Sequence, residues 1–207
     1  MDGPPAVSVI ITNNYDAGGG YVGDMVAALE PYAAFKTALF GQCVIRTVDW
    51  IVACYPAYDA AASIKSFARD AYVQWGTRYF LLAGDTDIVP TRRINGTSWR
   101  KDQPIDAYFG VFAGLWNLDR DSEEWESIGD VNFSMSQGDY PQVSVGRWPC
   151  HNATEAALLR VKAMAYQEQL NPPPAAFFTS ALLATGPTNA WYDNAPASGY
   201  YAAEDVA

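Results

Sequence analysis

The stretch Tyr79-Phe80-Leu81-Leu82-Ala83 constrains this chain most, because its apolar side chains follow one another without a break up to Gly84-Asp85. Such a strand is apolar on both faces and needs helices on each side, which is the setting of a parallel sheet. Val7-Ser8-Val9-Ile10-Ile11-Thr12 has the same β-branched character, and Cys43 to Val48 and Val143 to Val145 supply two more short strands. Between them lie helical patterns. One runs from about Tyr21 to Leu39, with Pro31 permitting a break and Gly41 as its stop. A second, Ala60 to Trp75, is capped by Asp59, closed by Gly76, and sets Ile64, Phe67, Ala68 and Tyr72 on one stripe. A third opens at the capping box Asn152-Ala153-Thr154-Glu155 and runs to about Gln169. Pro172-Pro173-Pro174 then ends it before a further strand candidate, Phe177 to Ala184. Strand and helix in alternation predict a three-layer α/β/α sandwich with a mostly parallel sheet, in one domain over residues 1–207.

Charge narrows the partners. A net charge of −10 argues against nucleic acid or an anionic membrane, since phosphate binding needs clustered Lys and Arg. No run approaches the roughly 20 apolar residues that span a bilayer. The opening Met1-Asp2-Gly3-Pro4-Pro5 has neither the basic nor the apolar stretch of a secretion signal. Cys43, Cys54 and Cys150 are odd in number and widely spaced, so no disulfide framework or zinc knuckle follows. Cys43 begins an apolar run and reads as a core thiol. Cys54 and Cys150 fit either inert burial or a redox-labile pair.

Gly18-Gly19-Gly20-Tyr21-Val22-Gly23 matches GxGxxG between a strand and a helix. In a dinucleotide fold such glycines let a pyrophosphate approach the helix N-terminus, with Asp49 as the candidate ribose acid. A flexible connecting loop is the plainer reading, because Asn13 to Ala17 separate the strand from the first glycine. Cys150-His151 has the residue types of a nucleophile and its base. Neighbours in sequence usually point apart, however, and His151 is the only histidine, so no other His-dependent dyad can be built here. Asn117 to Glu124 spaces oxygen side chains so that Asp119, Asp121 and Glu123 make a candidate calcium site. It lacks the glycine for a sharp turn and includes Arg120, so a solvated acidic hairpin is the alternative. Asp85 and Asp87 follow the Tyr79–Ala83 strand, at the end of a sheet where sites collect, and Arg147 follows Val143–Val145 as a partner for one of them.

Together these segments resemble the gingipain family of cysteine peptidases. The resemblance rests on Ala34-Phe35-Lys36 before Gly41, Asp59 with Ile64-Lys65-Ser66-Phe67, and Tyr79 through Pro90 with its Gly-Asp-x-Asp-x-x-Pro ending. It continues in Asp106-Ala107-Tyr108-Phe109-Gly110, Asp139-Tyr140-Pro141, Val145-Gly146-Arg147-Trp148-Pro149, Asn152 to Glu155 and Tyr166-Gln167-Glu168. It implies a caspase-like fold and a peptidase acting on protein or peptide substrates. In it a histidine activates a cysteine thiolate, with no cofactor required for the chemistry. The family's His-Gly turn and its cysteine come later in the sequence, so the catalytic list within this chain is empty. The remainder of the domain is expected downstream, after a helix that starts near Ser198 and stops within about two turns at Ala207. The place of the family's acid after Phe177–Ala184 holds Thr185-Gly186-Pro187, and Ser198 to Ala203 has no acid to pair a substrate arginine. The family's acidic loops add weight to a structural calcium at Asn117–Glu124, and its members are typically secreted or at the cell surface. Two other readings stand beside it: a nucleotide-binding domain using Gly18 to Gly23, and a non-catalytic pseudopeptidase or interaction module.

Overall fold

Four short strands, β1 (Ser8–Thr12), β2 (Cys43–Thr47), β3 (Tyr79–Ala83) and β7 (Ser144–Trp148), form one parallel sheet in the order β2-β1-β3-β7. This is seen in a computed structural model that describes residues 5–95, 103–112, 125–127 and 141–168. The helices are α1 (Met25–Phe40), α2 (Val48–Cys54), α3 (Ala60–Trp75), α4 (Ala107–Gly110) and α5 (Ala153–Glu168). A second, three-stranded sheet has β4 (Arg92–Asn95) between β5 (Gln103–Ile105), antiparallel, and β6 (Trp125–Ser127), parallel. The chain divides into two units, Met1–Met164 and Ala165–Ala207, and the site described below lies wholly in the first.

The period-2 rule for strands explains the layers. Val9, Ile11, Phe80 and Leu82 point to one face, where they pack with Ile51, Ile64, Phe67 and Ala71 of α2 and α3. Ile10, Leu81 and Ala83 point to the other, against Met25, Leu29 and Tyr32 of α1 and Ala156 of α5. The expected α/β/α sandwich with a parallel sheet is therefore present, and its central strands are covered on both sides. No helix among the described residues is long and apolar enough to cross a membrane.

Local signals decide where the elements begin. α1 starts at Met25 rather than Tyr21 because Asp24 accepts from the Ala27 amide at 3.0 Å and Asn14 from that of Met25 at 2.9 Å. Pro31 lies inside α1 and does not end it. Leu29, Tyr32 and Ala33 bury one face of the helix around it, which outweighs the missing hydrogen bond. β2 stops one residue short of the expected Val48 because Thr47 turns to cap α2, accepting from the Trp50 amide at 3.2 Å. Asp59 caps α3 as expected, and Gly76 closes it in the left-handed conformation. The strand expected at Phe177–Ala184 and the helix near Ser198 lie outside the described residues.

Candidate functional site

Chemistry-bearing side chains gather over the carboxyl ends of β1, β2 and β3. The chain leaves β1 for α1 on one face of the sheet and leaves β2 for α2 on the other, and open α/β sheets form their crevices at such a divergence. The cleft there has a volume of about 650 Å³, and its walls carry Asn13, Asp16, Asp49, Asp59, Asp87 and Arg92. Asn13 bridges the strands by donating to Asp49 at 3.2 Å and to the Tyr15 carbonyl at 3.1 Å. Thr12 ties β1 to β3 through a buried hydrogen bond to the Ala83 carbonyl at 2.7 Å.

The turn after β3 is held by its neighbours. Gly84 has φ of 149°, and a Cβ there would meet Ile88 at 2.7 Å, so the close fold-back of the turn requires glycine. The Gly84 amide donates to Trp148 and that of Asp85 to Cys150, at 3.0 and 2.9 Å, stitching this turn to the one after β7. Arg147 completes the union. Its Nε and Nη2 grip both oxygens of Asp106 at 2.7 and 2.8 Å, while Nη1 donates to the carbonyls of Gly84 and Val89 at 2.7 and 2.8 Å. Thr91 adds a third donor to Asp106 at 2.8 Å. The expected pairing of Arg147 with Asp85 or Asp87 is thus corrected: its carboxylate is Asp106, from the Asp106–Gly110 motif. Three separate sequence motifs meet in one guanidinium.

A second guanidinium organises the other side of the cleft. Arg92 is buried and donates to Asp59 at 2.8 and 3.2 Å, to the Tyr58 hydroxyl at 2.9 Å and to that of Tyr108 at 3.2 Å. Lys65 lies over the Tyr108 ring, 4.2 Å from its centre. Burial pushes the Tyr108 hydroxyl well above its ordinary pKa, so it stays protonated beside these cations. In the sequence Asp59 shows as a helix cap within a family-like motif, and nothing local marks Arg92 as its partner.

The Cys150–His151 pair is not a nucleophile and base. Cys150 is fully buried, and burial first, then the charge of Glu155, pushes its thiol up to about 11, so the thiolate is scarce at neutral pH. His151 is exposed and its amide donates to Glu155 at 2.8 Å, while Asn152 accepts from the Glu155 amide at 3.0 Å. The segment is a helix start, as the capping pattern indicated. Cys54 is exposed at the end of α2, behind β2, whereas His151 and Cys150 follow β7 at the opposite edge. α2 packs on one face of the sheet and Cys150 is buried on the other, with α1 and α5, so the two thiols lie on opposite sides of the sheet and both are free. Iodoacetamide at pH 8 is expected to label Cys54 in the folded chain and to reach Cys43 and Cys150 only after denaturation, as read by peptide mass spectrometry. Rapid native labelling of Cys150 would contradict its burial.

The Gly18–Gly23 loop also proves structural. Asp16 accepts from the amides of Gly18 and Gly20, both at 2.8 Å, so a carboxylate already occupies the donors a phosphate would need. A Cβ on Gly20 would meet Asp16 at 2.6 Å, and one on Gly23, where φ is 99°, would meet Ala153 at 2.8 Å. Asn14 and Asp24 fill the helix N-terminus, and Asp49 is engaged by Asn13. Asp119, Asp121 and Glu123 lie outside the described residues. Instead, the structure brings Asp85, Asp87 and His151 together, with one ligand atom from each lying within 4.8 Å of the others.

A parallel sheet covered on both faces, with its carboxyl-end turns clamped by paired guanidinium and carboxylate groups, defines a rigid α/β scaffold. The chain belongs to peptidase family C25, the gingipain family of cysteine peptidases, whose sequence model matches residues 2–206. Among solved structures it is similar to dimeric latent PorU from Porphyromonas gingivalis, with 15% identity and a TM-score of 0.57 over 87% of this chain and 17% of that one. It is also similar to the Arg-specific cysteine proteinase gingipain R, with 15% identity and a TM-score of 0.50 over 80% of this chain and 29% of that one. A further solved protease gives 16% identity and a TM-score of 0.51 over 83% and 30%. The chain spans less than a third of the length of each. No curated protein sequence matches it.

Proposed function

We propose that this chain is the N-terminal, scaffold-forming portion of a gingipain-type cysteine endopeptidase that cuts protein substrates in the medium or at the cell surface. The observation that carries this reading is the Arg147 latch, which joins three motifs that this chain shares with a peptidase family. In the proposed reaction a histidine removes the proton of a cysteine thiol, and the thiolate attacks the peptide carbonyl. A thioester forms as the amine leaves, and water then hydrolyses it. Both groups would come from sequence beyond Ala207, and this chain would supply the rigid base on which their strands pack.

The test compares the 207-residue chain with a longer product of the same gene on fluorescent casein, with and without iodoacetamide. The short chain is expected to show no hydrolysis above buffer. The longer one is expected to cleave, and to lose that activity on alkylation. Alkylation-sensitive cleavage by the short chain would overturn the assignment of the dyad to downstream sequence. A longer chain carrying a His-Gly turn and cysteine yet inert would favour a non-catalytic member of the family.

A further inference from the structure

The only histidine in the chain stands against two carboxylates on turns that the fold holds still. His151 follows β7, while Asp85 and Asp87 follow the adjacent strand β3. We propose that Asp85, Asp87 and His151 form a site for a divalent cation of the zinc class, open to solvent on one side.

Geometry comes first. One ligand atom from each residue lies within 4.8 Å of the other two, and His151 Nδ1 is 3.7 Å from Asp85 Oδ2. That separation is too long for a hydrogen bond, so the imidazole and carboxylate have not closed on each other. Atoms bound to one tetrahedral zinc at about 2.1 Å sit roughly 3.4 Å apart, within reach of small side-chain rotations here.

The framework is already built. The two turns are joined by the Gly84–Trp148 and Asp85–Cys150 hydrogen bonds, and Arg147 clamps the carbonyls on both sides of Asp85 and Asp87. The carbonyl of Asp87 accepts from Ala17 at 2.7 Å, and the His151 amide is held by Glu155. Binding therefore costs little backbone ordering. One oxygen of Asp85 accepts from the Thr86 amide at 2.7 Å, which orients the carboxylate and leaves Oδ2 facing His151.

Donor chemistry selects the ion. Calcium and magnesium take oxygen ligands, whereas an imidazole with two carboxylates suits zinc and its first-row neighbours. His151 is 61% exposed, which leaves coordination positions for water or a group from another molecule. Its donor set, an imidazole with two carboxylates, differs from the all-oxygen set expected for calcium at Asp119, Asp121 and Glu123.

The test uses the whole 207-residue chain with zinc chloride as probe. A single histidine makes the imidazole ring signals in an NMR spectrum an unambiguous reporter. Zinc is expected to shift those signals, and calcium at the same concentration to leave them in place. Calorimetry is expected to show zinc binding at least about tenfold weaker in His151→Gln and in Asp87→Asn, both surface changes. Ring signals that do not move with zinc would overturn the proposal, as would unchanged zinc affinity in His151→Gln.

Discussion

Replacing Arg147 with methionine is expected to remove about 3–5 kcal/mol of folding stability, the cost of leaving a largely buried charge without its partner. Arg147 is 12% exposed and Asp106 27%. Methionine keeps much of the packing volume but strands both oxygens of Asp106 and the carbonyls of Gly84 and Val89. Thr91 alone would still donate to the carboxylate. Urea denaturation followed by circular dichroism measures the loss. Lysine at the same position is expected to recover part of it, because one compact ammonium cannot span acceptors arranged for a planar fork. In an Arg147→Met background, Asp106→Asn should cost less than it does alone, since the charge it removes is already unpaired. A loss below about 1 kcal/mol for Arg147→Met would mean that water substitutes for the guanidinium and the latch is not structural.

This latch also marks where sequence reading ends. The strands and long helices were legible because each is signalled locally: β3 by its unbroken apolar run, α3 by Asp59 and Gly76 at its ends, α5 by Asn152 and Glu155. The sheet was legible as parallel, yet its strand order and the partner of Arg147 depend on contacts between residues about forty positions apart, such as Arg147 with Asp106. No local pattern encodes these. α2 is not legible because it follows β2 with no intervening loop and is only seven residues long, with the Thr47 cap alone separating the two. The second sheet was missed because β4, β5 and β6 are three or four residues long and carry no alternation. At the candidate site, the sequence pointed to Asp85 and Asp87 by their place after a strand. It set His151 aside as a helix-start residue, which is what its backbone is. That its side chain also reaches Asp85 follows only from β3 and β7 being neighbours. The glycine loop misled for a related reason, since the motif shows which residues are small and not that Asp16 has already taken their amides.

Asp59 does two jobs at once, and the expected effect of removing it is correspondingly large. Asp59→Ala deletes the cap of α3, worth about 1 kcal/mol, and strips the counter-ion from Arg92, which breaking a buried pair puts at about 3–5 kcal/mol. Arg92 is 1% exposed, so water cannot take over from the carboxylate, although the hydroxyls of Tyr58 and Tyr108 still accept from it. Asp59→Asn separates the two contributions. Asparagine caps as well as aspartate, so this variant is expected to keep the helix start and lose only the charge, ending about 1 kcal/mol more stable than the alanine variant. Replacing Arg92 with methionine in the Asp59→Asn chain should then cost less than the same replacement in the native protein, because the buried cation has already lost its partner. Stabilities from urea melts of the four chains, read as a double-mutant cycle, give the coupling directly. Additive losses would show that Arg92 and Asp59 act independently, and that the cleft wall is held by the α3 cap and apolar packing alone.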